Sequence, residues 1–322
     1  MATVRRDLVV GVDLGGTKIQ TVVLRAKKVV SSSKTSTPRA DGAAVVSAMA
    51  GTVRDALALA NLPLERVRAI GVGSPGKIDA TTGTVSQSAN VPGLEGSFQL
   101  GPALGQALGG IQVMLDNDVR AGIWGEFVRG AGQPYRNLIG VWVGTGVGGG
   151  LILDGVLRHG RGACGEIGHT VVKDGGRRCP CGRRGCLEAY AGRASMEWHA
   201  RRWQIQGERT ILFEVMEKQA RDRLTSGILH HAIEHHDEMA MRLIDDAVWA
   251  LGIALASAQN LLDTEAIIIG GGLGERFGAP FLERIAKAMR PHLFVPDRPP
   301  SLLGCGLGEF SGAVGAAVIA GG

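Results

Sequence analysis

The sequence predicts an α/β protein built from two related halves. Leu8–Gly16 is an apolar run that ends in a glycine-rich turn and is followed by a second strand. Asn137–Thr145 repeats this order, with its second strand at Leu151–Leu153. The chain has 322 residues, 45% of them hydrophobic, which is enough for two cores of ordinary size. We therefore expect two α/β halves that face each other across a cleft, with a boundary near residues 118–137.

Short apolar runs bounded by Gly, Pro or Asp predict the strands, and apolar spacing of three and four residues predicts the helices. Asp41 is expected to cap the first helix, because its side chain can accept a hydrogen bond from the first turn. The first half is expected to contain strands at 8–12, 20–24, 28–32, 69–72 and 111–115, a helix at 43–60 and a second helix that follows residues 116–118 and ends at 127. The second half is expected to contain a mostly helical stretch at 194–262, a strand at 266–269 and a closing small-residue helix at 311–320.

Composition excludes several classes of protein. The net charge of +5 comes from scattered arginines, and seven Phe with two Tyr offer few stacking surfaces for nucleic acid. No N-terminal apolar segment resembles a signal peptide, and no run approaches the roughly 18 apolar residues of a membrane span. We expect a cytoplasmic protein without nucleic-acid or membrane partners, whose five Cys are metal ligands or free thiols.

The segment GVDLGGTK at residues 11–18 looks like a phosphate-binding loop but has the wrong order for a P-loop. Thr17 precedes Lys18, and Asp13 lies inside the segment. A carboxylate at a strand end followed by Gly15 and Gly16 suits a metal–phosphate site, with the backbone N–H groups receiving phosphate oxygens. The alternative is a plain hairpin turn.

Gly144, Gly146 and Gly149 match the spacing G-x-G-x-x-G after a strand. A dinucleotide fold requires a helix next, whereas LILDGVLRHG has the pattern of strands and a turn. The Rossmann interpretation is therefore rejected. The two glycine-rich turns, one from each half, could together hold a triphosphate.

Asn117 and Asp118 lie where a strand ends and a helix begins. Ligands of open α/β sheets gather at the carboxyl ends of strands, and a carboxylate there can accept a proton from an attacking hydroxyl. Asn and Asp are equally typical helix caps. The sequence alone leaves both interpretations open.

The strongest local signal is the segment GEIGHTVVKDGGRRCPCGRRGCLE. His169, Cys179, Cys181 and Cys186 supply the donors of a closed four-coordinate zinc shell, which predicts a structural rather than a hydrolytic metal. Glu166 and Glu188 bracket this cluster, so folding around zinc would present both carboxylates on one side, suited to sugar hydroxyls. The alternatives are unrelated free thiols and solvated surface acids. Cys164 and Cys305 are expected to be buried thiols.

A second group of four His spans residues 230–236. His231 and His235 have the i, i+4 spacing of a helical metal site, but no apolar or glycine-rich segment accompanies them. A solvated helix face is the favoured interpretation, and any role is left open.

In this order along the chain, the motifs resemble those of the ROK family (repressor, open reading frame, kinase), and among it the bacterial glucokinase-like sugar kinases. The similarity covers nearly the whole chain, and GEIGHT and CPCGRRGCLE are its most specific parts. The motifs are GVDLGGTK, GVGSPGKID, SQSANVPG, LDNDVRAGIWGE, GVWVGTGVGGG, GEIGHT, CPCGRRGCLE and IIIGGGLG.

The resemblance implies a two-lobed, actin-like and ribonuclease-H-like fold with ATP and sugar in the interlobe cleft. It implies an N-terminal lobe of residues 1–118, completed by a helix at about 309–322, and a larger lobe of 119–308 with the zinc site. We expect a homodimer or homotetramer.

By the resemblance, Asp118 is the catalytic base, and His169 binds both zinc and sugar. The sugar is expected to contact Asn90, Asn117, Glu166, His169 and Glu188. The phosphates, Mg²⁺ and adenosine are expected near Asp13, Gly15, Gly16, Thr17, Lys18, Thr145, Gly146, Gly271 and Gly272.

The sequence departs from the family pattern at two places. Val119 and Arg120 stand where the family often has Ala-Asn, and Leu94 stands where it often has an aromatic residue. Neither change removes a chemical group, although the second could alter one wall of the sugar site.

Three functional hypotheses follow. The first is an ATP-dependent hexose kinase, with glucose as the default and N-acetylmannosamine, N-acetylglucosamine, mannose or fructose as alternatives. Polyphosphate is a second possible phosphoryl donor. The second hypothesis is a sugar-responsive transcriptional repressor, which the roughly ten residues before the phosphate loop disfavour. The third is a sugar-binding protein without catalysis, which the presence of Asp118 and both glycine-rich turns disfavours.

Overall fold

A computed structural model describes residues 6–88 and 91–321. The chain divides into two compact units. Unit 1 comprises the chain up to Pro134, with Gly160–Gly162 and Gly306–Gly322; unit 2 comprises Tyr135–His159 and Ala163–Cys305. The chain passes into unit 2 after Pro134, and the helix that starts at residue 118 packs on the C-terminal helix within unit 1.

Unit 1 is built on one five-stranded sheet. Its elements before the crossing into unit 2 are β1 (Leu8–Leu14), β2 (Lys18–Arg25), β3 (Lys28–Ser36), α1 (Gly42–Leu59), β4 (Val67–Ser74), β5 (Lys77–Asp79), β6 (Thr84–Ser86), α2 (Leu100–Ala107), β7 (Val113–Asn117) and α3 (Asp118–Arg129). The strand order is β3-β2-β1-β4-β7, and β5 and β6 form a separate hairpin.

Unit 2 contains a second five-stranded sheet and most of the helices. Its elements are β8 (Leu138–Val143), β9 (Val147–Leu153), β10 (Val156–Arg158), α4 (Glu188–Ala191), α5 (Arg193–Ile205), α6 (Leu212–Lys218), α7 (Ser226–Glu234), α8 (Glu238–Leu262), β11 (Ala266–Gly270), α9 (Gly271–Met289) and β12 (Ser301–Gly304). The strand order is β10-β9-β8-β11-β12. The last helix, α10 (Ser311–Gly321), belongs to unit 1.

The predicted duplication is confirmed by the two sheets. β1 pairs antiparallel with β2 and parallel with β4, and β8 likewise pairs antiparallel with β9 and parallel with β11. The outer pairs agree too: β2–β3 and β9–β10 are antiparallel, whereas β4–β7 and β11–β12 are parallel. Each half therefore places three consecutive antiparallel strands beside two further strands that run parallel to the third of them in the sheet order.

Helix α1 begins one residue before its predicted start, and the Asp41 side chain caps it by accepting from Ala44 N at 2.8 Å. By length and composition α1 is apolar enough to cross a membrane, although it is not an unbroken apolar run. Half of that window is buried inside the protein, where Val45, Met49 and Val53 join the core of unit 1. Its apolar residues thus serve the packing of a core helix against β2 and β3.

Helix α10 packs on the sheet of unit 1 so closely that two strand positions require glycine. A Cβ at Gly11 would overlap the carbonyl oxygen of Ala313, and a Cβ at Gly71 would overlap that of Ala316. Gly11 and Gly71 are register partners on β1 and β4. This close approach explains why α10 consists mostly of glycine and alanine.

We predict that Gly71→Ala lowers the free energy of unfolding by about 3 kcal/mol, because a helix backbone cannot move aside as a side chain can. The matched control is Gly51→Ala in α1, where an added Cβ meets no atom within 4 Å. That change should be neutral or raise stability by about 0.5–1 kcal/mol. Urea denaturation of both variants tests the prediction, which is wrong if the two unfold at the same midpoint.

Candidate functional site

The parallel strands of unit 1 bring its predicted site residues to one edge of the sheet. Asp13 on β1 is the register partner of Gly73 on β4, and Gly73 is in turn the partner of Asp116 on β7. Asn117 is paired with Ser74 one position later. The carboxyl ends of three parallel strands thus carry Asp13 and the Asp116–Asp118 segment, where ligands of open α/β sheets bind.

The turn between β1 and β2 is a tight hairpin with exposed backbone. Gly15 N donates to the carbonyl of Lys18 at 2.9 Å, and the Thr37 hydroxyl donates to the carbonyl of Gly15 at 2.6 Å. Gly16 and Thr17 are exposed. The Lys18 ammonium lies 3.2 Å from the Glu309 carboxylate, just before α10. The predicted phosphate role of Lys18 would therefore require its ammonium to share or leave this partner.

The corner between β7 and α3 separates the two roles that the sequence left open. Asn117 is the N-cap of α3, and its Oδ1 accepts from Val119 N at 3.0 Å and Arg120 N at 3.2 Å. Asp118 is the first helical residue and accepts from Val119 N at 3.0 Å. The helix dipole favours a negative charge at that position. Asn117 therefore caps the helix with its amide oxygen, and this role does not depend on the Asp118 carboxylate.

A buried ion pair fixes this corner from behind. Arg120 Nε lies 2.7 Å from Asp116 Oδ1, and their side chains are only 8% and 9% exposed. Asp116 Oδ1 also accepts from Asn117 N at 2.7 Å. Loss of one partner would leave the other charge buried and uncompensated. Arg120 was noticed in the sequence only as a departure from the family pattern, and the structure shows its contact with Asp116.

The four predicted metal donors of unit 2 lie together. His169 Nδ1 is 3.9 Å from Cys179 Sγ, and Cys181 Sγ is 3.8 Å from Cys186 Sγ. All four donor atoms lie within 4.8 Å of one another, and this is the one such group of three or more found among residues 6–88 and 91–321. Two sulfurs bound tetrahedrally at about 2.3 Å from one zinc ion are about 3.8 Å apart. The cluster is therefore compatible with a structural zinc.

Glycine residues shape the backbone of the Cys segment at residues 177–186, which we call the knuckle. Cys179 N donates to Arg183 O at 2.9 Å, and Gly182 N donates back to Cys179 O at 3.0 Å. Gly182 has a φ of +90° and Gly185 a φ of +80°, both in the left-handed region. A Cβ at Gly185 would also overlap the carbonyl of Lys173. The glycines between the Cys residues are therefore required by the backbone path.

The three thiols differ electrostatically. Burial raises the pKa of Cys179 and of Cys186. Burial alone would also raise the pKa of Cys181, but hydrogen bonds from the backbone and side chain of Arg183 and from the other two thiols lower it to about 6. A thiolate is the form that binds a metal. At neutral pH, Cys181 is thus the thiol most ready to bind a cation.

Two of the predicted sugar residues flank Cys179. The Glu188 Oε1 atom lies 3.8 Å from Cys179 Sγ, and His169 approaches the same sulfur with Nδ1. Glu188 Oε2 accepts from Val147 N at 2.9 Å and lies against Gly146, where a Cβ would clash with it. Glu188 therefore joins the thiol cluster to the Gly144–Gly146 turn.

The other two predicted sugar residues are Glu166 and Asn90. Glu166 is exposed, and its carbonyl accepts from His169 N at 3.0 Å; within the described ranges its carboxylate makes no hydrogen bond. Asn90 lies outside the described residues.

The His group at 230–236 forms no metal site among the described residues. The ring centres of His231 and His235 lie 4.2 Å apart with the ring planes tilted by 41°, and His235 Nδ1 lies 2.8 Å from the backbone carbonyl of His231.

Arg193, which the sequence analysis missed, joins the two glycine-rich turns of unit 2. Its Nη2 lies 3.3 Å from Thr145 Oγ1, and its Nη1 lies so close to Gly272 that a Cβ there would clash with it. Its Nε is buried without a hydrogen-bond partner in the described part of the chain, and burial lowers the pKa of the guanidinium. Gly271, with a φ of +76°, begins α9 at this point. In the sequence, Arg193 is marked only by its position after Gly192, and nothing distinguishes it from the other arginines of the chain.

The profile of the ROK family matches residues 9–322. The chain belongs to the ROK family. A glucokinase from Streptomyces coelicolor is 32% identical over 319 residues, which are 97% of each chain. An N-acetylmannosamine kinase from Yersinia pestis is 31% identical over 281 residues, 86% of this chain and 87% of that protein.

The crystal structure of a ROK family glucokinase from Streptomyces griseus in complex with glucose and AMPPNP superposes with a TM-score of 0.79. It is 30% identical, and the match covers 97% of this chain and 99% of that one. With the duplicated sheet order, this similarity confirms the predicted two-lobed α/β fold of the actin-like ATPase type for this ROK protein.

Proposed function

We propose that this protein is an ATP-dependent hexose kinase that phosphorylates glucose, with Asp118 as the general base. The observation that carries the proposal is the position of Asp118 in a ROK fold. It is the first residue of α3 at the carboxyl end of β7, next to an Asn117 that supplies the helix cap. The glucokinases at 30–32% identity over nearly the whole chain support glucose as the sugar.

In this mechanism the Asp118 carboxylate takes the proton from the sugar hydroxyl as that oxygen attacks the γ-phosphorus of ATP. ADP leaves as the P–O bond to the γ-phosphorus breaks. The protein's main contribution is to position the two reactants and to stabilise the charge on the phosphates. The Arg120–Asp116 pair holds the corner from which Asp118 acts.

The sugar is proposed to bind Asn90, Asn117, Glu166, His169 and Glu188. The Oδ1 atom of Asn117 is used by the helix cap, so its NH₂ group is the part left to donate to a sugar oxygen. His169 faces the thiols with Nδ1, which leaves Nε2 for the sugar.

Zinc is proposed as a structural ion held by His169, Cys179, Cys181 and Cys186. The distances between these donors fit a tetrahedral shell, and four protein donors leave no open position for water. When bound, zinc would fix the orientation of the His169 ring through one ring nitrogen. A hydrogen-bond partner at the other ring nitrogen commonly orients such a ring further.

Mg²⁺ is proposed to lie near Asp13, where it would neutralise charge on the ATP phosphates. Asp13 offers carboxylate oxygen, the donor that Mg²⁺ prefers. It lies against the start of α10, since a Cβ at Gly312 would be 2.6 Å from its Cγ. Gly15, Gly16, Thr17 and Lys18 are proposed to bind phosphate oxygens at the adjoining turn.

The nucleotide is proposed to contact Thr145, Gly146, Gly271 and Gly272, with Arg193 as an additional phosphate-binding residue.

We predict that Arg193→Met lowers kcat/KM for ATP by about 10- to 100-fold, because a buried charge-assisted contact to phosphate is lost. KM for the sugar should change little. Steady-state kinetics with each substrate varied test this, and Arg193→Lys should recover only part of the loss. If Arg193 only stabilises the fold, the variant has a lower melting temperature and an unchanged KM for ATP.

The proposal as a whole is tested by a coupled ADP-release assay over a panel of hexoses. We expect the highest kcat/KM with glucose. Preference for N-acetylmannosamine would move the assignment to the second activity found among the relatives. Absence of turnover with every sugar, and with ATP and polyphosphate as donors, would exclude a kinase. A cytoplasmic location and a homodimeric or homotetrameric state remain predictions, the latter open to sedimentation analysis.

A further inference from the structure

Unit 2 contains a cavity of about 930 Å³ that the proposed kinase mechanism does not use. It lies between the Lys173–Arg184 loop, α5 and α8. None of its lining residues is among those proposed to bind sugar, nucleotide or zinc. Its size is in the range of small-molecule sites, roughly 300–1,000 Å³.

The walls of this cavity carry a large excess of positive charge. They include five cationic side chains, Lys173, Arg177, Arg178, Arg184 and Arg202, and one carboxylate, that of Asp246. Asp246 is already paired with Arg177. Within the described ranges, the other four cations have no salt-bridge partner. The cavity is therefore a concave surface of uncompensated positive charge.

The knuckle places two of these arginines side by side. Arg178 and Arg184 are partners in an antiparallel bridge. Side chains at directly opposed positions project from the same face, and like charges placed there destabilise the pair. An anion between the two guanidinium groups would remove this repulsion. The backbone fold that brings the metal donors together thus also creates a paired cationic site.

Aromatic rings orient the guanidinium groups. The Arg177 guanidinium lies 4.9 Å from the ring centre of Tyr190 and 5.3 Å from that of Trp203, and Arg202 lies 4.8 Å from that of Trp198. A guanidinium that stacks by its face keeps its in-plane N–H groups for oxyanions. Planar forks of this kind match phosphate oxygens.

Two buried polar atoms at this cavity have no hydrogen-bond partner among the described residues. They are Arg177 Nη1 and His199 Nε2. Burial lowers the pKa of His199, and the positive charges of Arg177 and Arg202 lower it in the same direction, to about 4. A buried donor without a partner is destabilising, so a ligand that accepts from Arg177 Nη1 would be favoured.

We propose that this cavity binds a phosphate-bearing small-molecule anion at Arg177, Arg178, Arg184 and Arg202. Several cationic side chains around one concavity favour a ligand with more than one oxyanion over a single carboxylate. The proposal is independent of the kinase assignment, because it uses none of the residues of that mechanism.

The experiment is a calorimetric titration of the zinc-loaded full-length protein with inorganic tripolyphosphate in magnesium-free buffer. We expect saturable binding of one molecule per chain. Arg178→Gln combined with Arg184→Gln should weaken this binding at least 10-fold. The matched control is Arg298→Gln, which alters an exposed arginine outside the cavity and should leave the affinity unchanged. Zinc content and melting temperature are measured for each variant. If the double variant loses zinc, Arg202→Gln on α5 is the deciding variant, with the same expected loss.

Three results would overturn the proposal. The first is an equal heat with sodium sulfate at the same ionic strength, which would indicate screening alone. The second is binding that survives the cavity variants but is lost in Arg193→Met, which would place tripolyphosphate at the nucleotide site. The third is a protein that does not bind tripolyphosphate and whose cavity variants have a changed oligomeric state in sedimentation. That result would make this surface a contact between chains.

Discussion

Asp118→Asn should lower kcat for hexose phosphorylation by about 10³-fold, while KM for sugar and ATP changes only a few-fold. Asparagine has nearly the shape of aspartate but cannot take the proton of the attacking hydroxyl, and general-base catalysis contributes about 10²–10⁴-fold. A coupled ADP-release assay with glucose measures the loss. Substrate binding should persist, because Asn117, which is unchanged, caps α3 and contacts the sugar in the proposed site.

The variant should keep its melting temperature, which distinguishes lost chemistry from lost structure. In the described structure the corner around Asp118 is held by the Asn117 cap and the Arg120–Asp116 pair. Asp55→Asn, an exposed carboxylate in α1, is the matched control and should have full activity. Activity of Asp118→Asn within a few-fold of the unaltered protein would remove Asp118 from the role of base.

The parts of the fold that the sequence predicted are those specified by local patterns. Apolar runs ending in glycine predicted β1 and β8, and the similar order of elements predicted two related sheets. Asp41 predicted the start of α1, and the spacing of His169 and the Cys residues grouped the metal donors. The signals for β1, β8 and the start of α1 each lie within about ten residues of the element they specify, and long-range packing did not override them.

Long-range features were not accessible in the same way. Helix α9 starts in the glycine-rich segment Gly270–Gly272 and is interrupted at Gly278, with Pro280 inside it, so its sequence has the features of a loop. It forms because Phe281 and Ile285 are buried in the core of unit 2. Tertiary packing thus overrides a weak local preference.

The site shows the same division. The spacing of His169 and the three Cys residues was sufficient to group them. Arg193 and Arg120 could not be distinguished from other arginines, because their importance comes from burial and from partners far away in the sequence or across a helix turn. At Asn117 and Asp118 the sequence offered a cap and a base as alternatives, and the backbone geometry assigns the cap to Asn117.

Removing zinc is the second change with a large expected effect. We expect one zinc per chain by elemental analysis, and chelation or Cys186→Ser should lower the melting temperature by more than about 10 °C. Zinc shells of this kind contribute many kcal/mol to folding, and about 1 kcal/mol shifts the melting temperature of a domain this size by roughly 2–4 °C. Cys186 is fully buried, so its loss cannot be replaced by water. The matched control is Cys164→Ser, which changes a Cys outside the cluster.

Sugar affinity should fall together with stability, because the proposed sugar wall is assembled on the metal donors. His169 and Glu188 both approach Cys179, and Glu188 also holds Val147 N at the Gly144–Gly146 turn. Glucose binding is therefore to be measured by calorimetry at a temperature where the metal-free protein is still folded. If that protein binds glucose as tightly as the zinc form, the ion stabilises the knuckle without organising the sugar site. If affinity falls at least 10-fold while circular dichroism is unchanged, the two functions of His169 are linked through one ring.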